Sequence, residues 1–234
     1  MRRSTYLVVL QTLFISLCFS QVLFGQQRDS VLLSKPVRFS LNQLTVPAGL
    51  IATGIILNNN SPRSIKNWVA KERDEHIPTF HSGVDNYLLV APIALAYGLD
   101  AFGVKSKTDI LNRTVILLKG EIMTHATVCL LKSKTNVLRP DGSNSYSFPS
   151  GHTAQAFAAA TFLSEEYKDR FKWMPYVAYG MASGVGAMRI ANNKHYVSDV
   201  LLGAGIGILS MKVAYWTHQY RWGQKRETRR LQTY

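Results

Sequence analysis

The chain has 234 residues and a formal net charge of +13, from 27 Lys and Arg against 14 Asp and Glu. That length holds one domain with a sizeable core, and the charge favours an anionic partner: a nucleic acid, an acidic lipid headgroup or a phosphorylated substrate. Nucleic acid is disfavoured because the basic residues are scattered rather than striped and no recognised binding motif occurs, and Cys18 and Cys129 alone cannot build a disulfide framework or a Cys-based metal site.

Residues 1–25 read as a signal peptide or an uncleaved signal anchor. Arg2 and Arg3 form the charged start, Tyr6 to Phe19 the apolar stretch, and Gly25 a small residue at which cleavage could occur. Either form sends the chain to a membrane. Residues 26–113 are expected to hold N-terminal helices and a charged loop. Within them Leu44 to Leu57 is apolar but short of the roughly 20 residues of a comfortable span. Residues 61–86, broken by Pro62 and Pro78, read as a loop with one short surface helix.

Five apolar runs follow: Tyr87 to Val104, Thr114 to Leu131, Ala154 to Leu163, Met174 to Ile190 and Val197 to Trp216. They are rich in Ala, Leu, Ile and Gly and lack strand-like alternation, so they predict helices. Gly180-x3-Gly184 and Gly203-x3-Gly207 would let helix backbones approach closely. The expected fold is all-α, a bundle of five or six helices. Several runs are short, and Lys119, Glu121 and His125 interrupt one of them, so a soluble exported bundle competes with a membrane-embedded one. The basic residues after Trp216, in a tail over 217–234, favour the membrane, with that tail in the cytoplasm.

Three clusters punctuate the later runs. They are Lys132-x6-Arg139-Pro140, Pro149-Ser150-Gly151-His152 and Arg189-x5-His195-x3-Asp199. Each sits at a helix end, so antiparallel helices can bring all three to one face of the bundle. Lys132, Arg139 and Arg189 can then surround the oxygens of a phosphoryl group, the arginines bidentately. Ser150 and Gly151 precede an expected helix whose N-terminal N–H groups and dipole favour an anion. His195 and Asp199, four apart, share one face if a helical turn covers them. The carboxylate would fix the imidazole tautomer and leave the other nitrogen free to attack. His152 remains as a proton donor to the leaving oxygen. These are the parts of a phosphoryl transfer without metal or other cofactor.

The three clusters resemble the signature of the type 2 phosphatidic acid phosphatase and vanadium haloperoxidase superfamily. The likeness covers residues 114–216, the expected phosphatase core, in the right order and spacing. One position departs: Met188 stands where the family has Ser before the third-cluster arginine. The resemblance implies a metal-free helical phosphatase acting through a phosphohistidine. In it His195 is the nucleophile, Asp199 orients it, and His152 is the acid. Lys132, Arg139, Ser150, Gly151 and Arg189 bind the phosphate. It also implies a phosphorylated lipid substrate, such as phosphatidic acid, phosphatidylglycerol phosphate, polyprenyl diphosphate or lipid A.

Counting crossings from an exported residue 26 places the site on the periplasmic side of a bacterial inner membrane. Lys105 with Lys107, and Lys168, Arg170 and Lys172, then lie in cytoplasmic loops. A soluble periplasmic acid phosphatase acting on small phosphomonoesters is the alternative, and a haloperoxidase or a phosphate-binding module lies further off. Glu121, His125 and Lys132 fall near one helical face and could support the site. His76 and His81 read as solvated.

Overall fold

The computed structural model describes residues 39–218; the signal segment and the basic tail lie outside the described residues. Among the described residues the chain is all-helical, with eight α-helices: α1 (Thr45–Leu57), α2 (Ile65–His76), α3 (Val84–Leu88), α4 (Ala91–Ala101), α5 (Ile110–Thr135), α6 (Gly151–Tyr167), α7 (Met174–Ala191) and α8 (Val197–Trp216). A 3-10 turn over Leu41–Gln43 precedes them.

The all-α expectation holds, but five or six helices was too few. Leu44 to Leu57 forms α1 and the charged loop forms α2. The run from Tyr87 divides into α3 and α4 around Leu89 and Val90. Pro92 is the reason for the division. It lacks a backbone N–H and suits the first turn of a new helix, where no intrahelical acceptor is needed. Ser64, Asp109 and Ser150 cap α2, α5 and α6 with side-chain oxygens.

The long helices alternate in direction. α5 runs toward the end of the bundle that holds the three clusters, α6 away from it, α7 toward it and α8 away. α8 packs against α6, α1 and α5, and α6 also packs against α7 and α4. The closest approach lies between α6 and α8, and glycine permits it. A Cβ on Gly207 would stand 2.0 Å from the Ala154 oxygen, and one on Gly203 2.6 Å from the Ser150 oxygen. Gly205 faces α1 instead, where a Cβ would meet Pro47 O at 2.8 Å. Gly180 meets nothing, so the earlier glycine pair does not mark a comparable helix crossing.

The main core is assembled from Ile116, Phe162, Leu163, Tyr167, Met174, Val185, Met211 and several alanines. Small residues on α6 and α8 keep these helices near enough to hold their N-terminal ends together. α5 and α8 are long and apolar enough to cross a membrane.

Candidate active site

The three clusters meet at one end of the bundle. Lys132 lies in the last turns of α5, and its Nζ donates to the Tyr146 carbonyl. Arg139 stands in the loop from α5 to α6, which is bonded to the loop before α8: Asp141 N–H donates to Asn193 O at 3.2 Å, and Lys194 pairs with Asp141 at 2.5 Å. Arg189 occupies the last turn of α7, and Lys194 N–H donates to its carbonyl at 3.0 Å. A backbone bond and an ion pair thus tie the end of the first cluster to the third.

Ser150 is the N-cap of α6, and its Oγ accepts from Thr153 N at 3.4 Å and from Thr153 Oγ1 at 2.9 Å. Its N–H donates to the Asp199 carbonyl at 3.0 Å, so that N–H is committed to holding α6 against α8. The open donors at this helix start are those of Gly151 and His152, which occupy the first two helical positions and have no intrahelical acceptor. A Cβ on Gly151 would make only ordinary contacts, 3.6 Å to Val128 and 3.9 Å to Lys132 Cε. Packing against the protein therefore does not require glycine there. It leaves room beside the lysine.

His195 is 2 % exposed, and its Nδ1 faces Asp199 Oδ2 at 3.5 Å. That distance is at the outer limit of a hydrogen bond, and Nδ1 has no hydrogen-bond partner. The relation is electrostatic orientation at contact range. Nor do the two residues share a helical face as expected. His195 precedes α8, and Asp199 folds back over the helix start to accept from Tyr196 N at 2.9 Å. Ser147 Oγ also donates to Asp199 Oδ2, and Ser198 Oγ to Oδ1 at 3.1 Å. The carboxylate is thereby immobilised. Burial pulls the His195 imidazole below its ordinary pKa, an effect that Asp199 opposes and that Arg189 and Lys132 reinforce.

The cations are short of counter-charge. Among the described residues neither Lys132 nor Arg139 has a carboxylate in ion-pair range, and the Nε atoms of Arg139 and Arg189 are buried without a partner. Arg139 is pulled below its ordinary pKa by burial first and by Arg189 second. The two guanidinium groups thus repel each other, and an anion between them would offset that repulsion.

Sequence reasoning missed several supporting residues. Ser147 lies two residues before Pro149 of the second cluster, and that nearness was its one signal. Asp85 pairs with Arg189 NH1 at 2.7 Å, and Asn86 Oδ1 lies 3.1 Å from His152 Nε2. Both sit on α3, in a region with no motif. From α2, Arg73 Nε donates to Ala191 O at 2.9 Å, and Lys66 Nζ stands 4.7 Å from the Tyr196 ring centroid. Glu121 and His125 do not gather at the site. Glu121 is about 16 Å down α5 from Lys132 by helical rise, and His125 is exposed beside Cys129. His76 and His81 are exposed, as expected.

The chain is thus a helical bundle with three cations and a buried imidazole gathered at one end. The family model of the PAP2 superfamily matches residues 113–223, the segment that carries the cradle. The chain is 37 % identical over 139 residues to a Lipid A 1-phosphatase of Porphyromonas gingivalis, covering 59 % of this chain and 31 % of that protein. It is 29 % identical over 141 residues to Phosphatidylglycerophosphatase B of Bacillus subtilis, covering 55 % of this chain and 66 % of the relative. This chain thus spans less than a third of the first relative and just under two thirds of the second. The crystal structure of a transmembrane PAP2 type phosphatidylglycerolphosphate phosphatase from Bacillus subtilis shares the fold. Its TM-score is 0.52 at 22 % identity, over 72 % of this chain and 94 % of that one.

Proposed function

We propose that this protein is a membrane phosphatase that removes a phosphate monoester from a lipid. The observation that carries this reading is the cation cradle of Lys132, Arg139 and Arg189, in which only Arg189 has a carboxylate partner, beside an imidazole aligned by a fixed carboxylate. In the proposed reaction the phosphoryl oxygens bind these cations and the N–H groups of Gly151 and His152. With Nδ1 turned to Asp199, Nε2 of His195 attacks phosphorus in line with the lipid oxygen. The P–O bond breaks, and His152 gives its proton to the departing oxygen. Water, deprotonated by His152, then attacks the phosphohistidine and releases inorganic phosphate. No metal takes part in these steps.

Exposed apolar surface supports the membrane setting. α1 carries no charged residue, and only Pro47 and Gly54 are buried in it; Val46, Ile55 and Ile56 are 62 %, 57 % and 74 % exposed. Leu111, Leu118, Ile122 and Leu130 likewise stand out from α5. In water such faces would be an association hazard, whereas in lipid they are solvated. The similarity to enzymes named for lipid A and for phosphatidylglycerophosphate makes those two lipids the first candidates.

The reading places the site on the periplasmic face of the inner membrane. Lys168, Arg170 and Lys172 are then cytoplasmic at the other end. The test is phosphate release by purified protein from lipid A, phosphatidylglycerol phosphate, phosphatidic acid, polyprenyl diphosphate and p-nitrophenyl phosphate, in EDTA. Turnover of a lipid, retained in chelator and inhibited by orthovanadate, is expected. Turnover of p-nitrophenyl phosphate alone, or loss on chelation with recovery on adding metal, would overturn it. A cysteine at Ser145 should react with an impermeant thiol reagent in spheroplasts and one at Lys172 should not; the reverse pattern would overturn the orientation.

A further inference from the structure

α3 belongs to none of the three motifs, yet two consecutive residues of it reach two motif residues on different helices. Asp85, 1 % exposed, accepts from Arg189 NH1 at 2.7 Å. Asn86 turns its side-chain oxygen to His152 Nε2 at 3.1 Å. Neighbours on a helix point about 100° apart, so one short helix can serve both α7 and the start of α6. The approach is registered by the loop before it. Ser82 N–H donates to Asn192 Oδ1 at 2.9 Å, and Asn192 Nδ2 donates back to the Ser82 carbonyl at 2.8 Å. Asn192 lies just past Arg189, so the same few residues fix α3 and the arginine together.

Each contact has a chemical consequence. A buried guanidinium with one donor held by a carboxylate is fixed in direction, and its remaining N–H groups are left to the ligand. An amide oxygen against a ring nitrogen accepts only, so it favours the ring form with a proton on Nε2. That includes the imidazolium able to donate a proton from its other nitrogen. The charged groups around His152 are Arg189 from α7, Arg139 from the loop after α5, His195 from the loop before α8, and Asp85 beside Asn86. Burial first, and then three of these four, disfavour an imidazolium, which gives the neutral acceptor of Asn86 something to offset.

We propose that α3 is a fourth part of the active site, in which Asp85 positions Arg189 and Asn86 positions His152 and favours its proton-donating form. The inference rests on the reading of His152 as the general acid. The experiment is the pH profile of kcat for phosphate release from phosphatidic acid in detergent micelles. It compares wild type, Asn86→Leu, Asn86→Asp and His195→Ala. The basic limb should fall by about one pH unit in Asn86→Leu and rise by about one in Asn86→Asp, because only the second adds a carboxylate beside the ring.

A helix that merely props up the bundle would lower activity without moving the limb in opposite directions. An unmoved limb, or one moved the same way in both variants, overturns the proposal while leaving an inactive His195→Ala to support the catalytic assignment. Full activity in His195→Ala would instead overturn the assignment itself. For Asp85, Asp85→Leu should raise the orthovanadate concentration for half-inhibition about tenfold. Asp85→Asn keeps an acceptor for Arg189 and should stay nearer to wild type. Equal loss in the two, or no loss in either, counts against positioning of Arg189.

Discussion

The two ends of the bundle are both rich in charge and use it in opposite ways. At the end away from the motifs the buried charges are paired. Arg113 pairs with Asp100 at 2.8 Å, Glu165 with Lys168 at 2.5 Å and Lys212 at 3.3 Å, and Lys107 with Asp169 at 3.5 Å. Glu166 is buried there but accepts from Tyr215 OH at 2.6 Å and from Thr108 N at 2.8 Å. At the motif end Arg189 pairs with Asp85, but among the described residues Lys132 and Arg139 have no carboxylate in ion-pair range. The difference teaches that a charge left unmatched is the stronger pointer to a site in a helical bundle. Matched charge holds helix ends together; unmatched charge is held in place by the fold for a ligand to complete.

The largest effect expected from this contrast is at His195, the proposed nucleophile. His195→Ala should lower kcat by about 10⁴-fold or more, since removing a nucleophile leaves only binding and electrostatic catalysis. A rate within tenfold of wild type would remove His195 from the chemistry.

A direct comparison of the ends comes from one arginine at each. Arg139→Ala should cost about 10²- to 10³-fold in kcat/KM and leave thermal stability unchanged or slightly higher, because it deletes a cation that Arg189 repels. Arg113→Ala should do the reverse. It leaves Asp100 without its partner and opens space where a side chain only 1 % exposed had been. The cost should be about 3 kcal/mol of stability, with turnover per folded molecule near wild type. If Arg139→Ala unfolds the protein while Arg113→Ala only slows it, the contrast between the ends is wrong.

Much of this contrast was legible in the sequence. The order and spacing of Lys132, Arg139, His152, Arg189, His195 and Asp199 require antiparallel helices that return each cluster to one end, and the folded chain brings them there. What the sequence did not show follows from the physics of the contacts. Asp85 and Asn86 lie 104 and 66 residues from the side chains they meet, and no local periodicity encodes such a contact. The Asp199 geometry was misread because a four-residue spacing fits either a helical face or a capped helix start. Tyr196 N–H decided for the cap. The helix count was low because a continuous apolar run hides a break, even with Pro92 inside it.

A smaller effect tests whether the room at the start of α6 serves a ligand. Gly151→Ala should leave the melting temperature within a degree or two, about what an unstrained helix-start substitution permits, because its Cβ meets protein only at 3.6 Å and beyond. kcat/KM should fall about tenfold as the methyl group crowds the phosphate beside Lys132. A variant as active as wild type would remove Gly151 from the phosphate site.

The smallest effect is a shift in pH dependence, and its sign follows from the groups around His195. Attack requires the neutral ring. Burial disfavours the charged form, so the pKa lies below the ordinary value, and Arg189 and Lys132 push it the same way. The neutral form therefore persists as pH falls, and the acid limb of kcat/KM for the free enzyme should lie below the ordinary imidazole value of about 6.5. Asp199 acts in the opposite direction, because its negative charge stabilises the imidazolium. Asp199→Asn should then slow the reaction strongly through the loss of alignment and, independently, move the acid limb further to acid. The two consequences separate the roles of the carboxylate. Slowing with an unmoved limb would mean that Asp199 only orients the ring. A limb moved toward neutral pH would mean that a group other than His195 controls it.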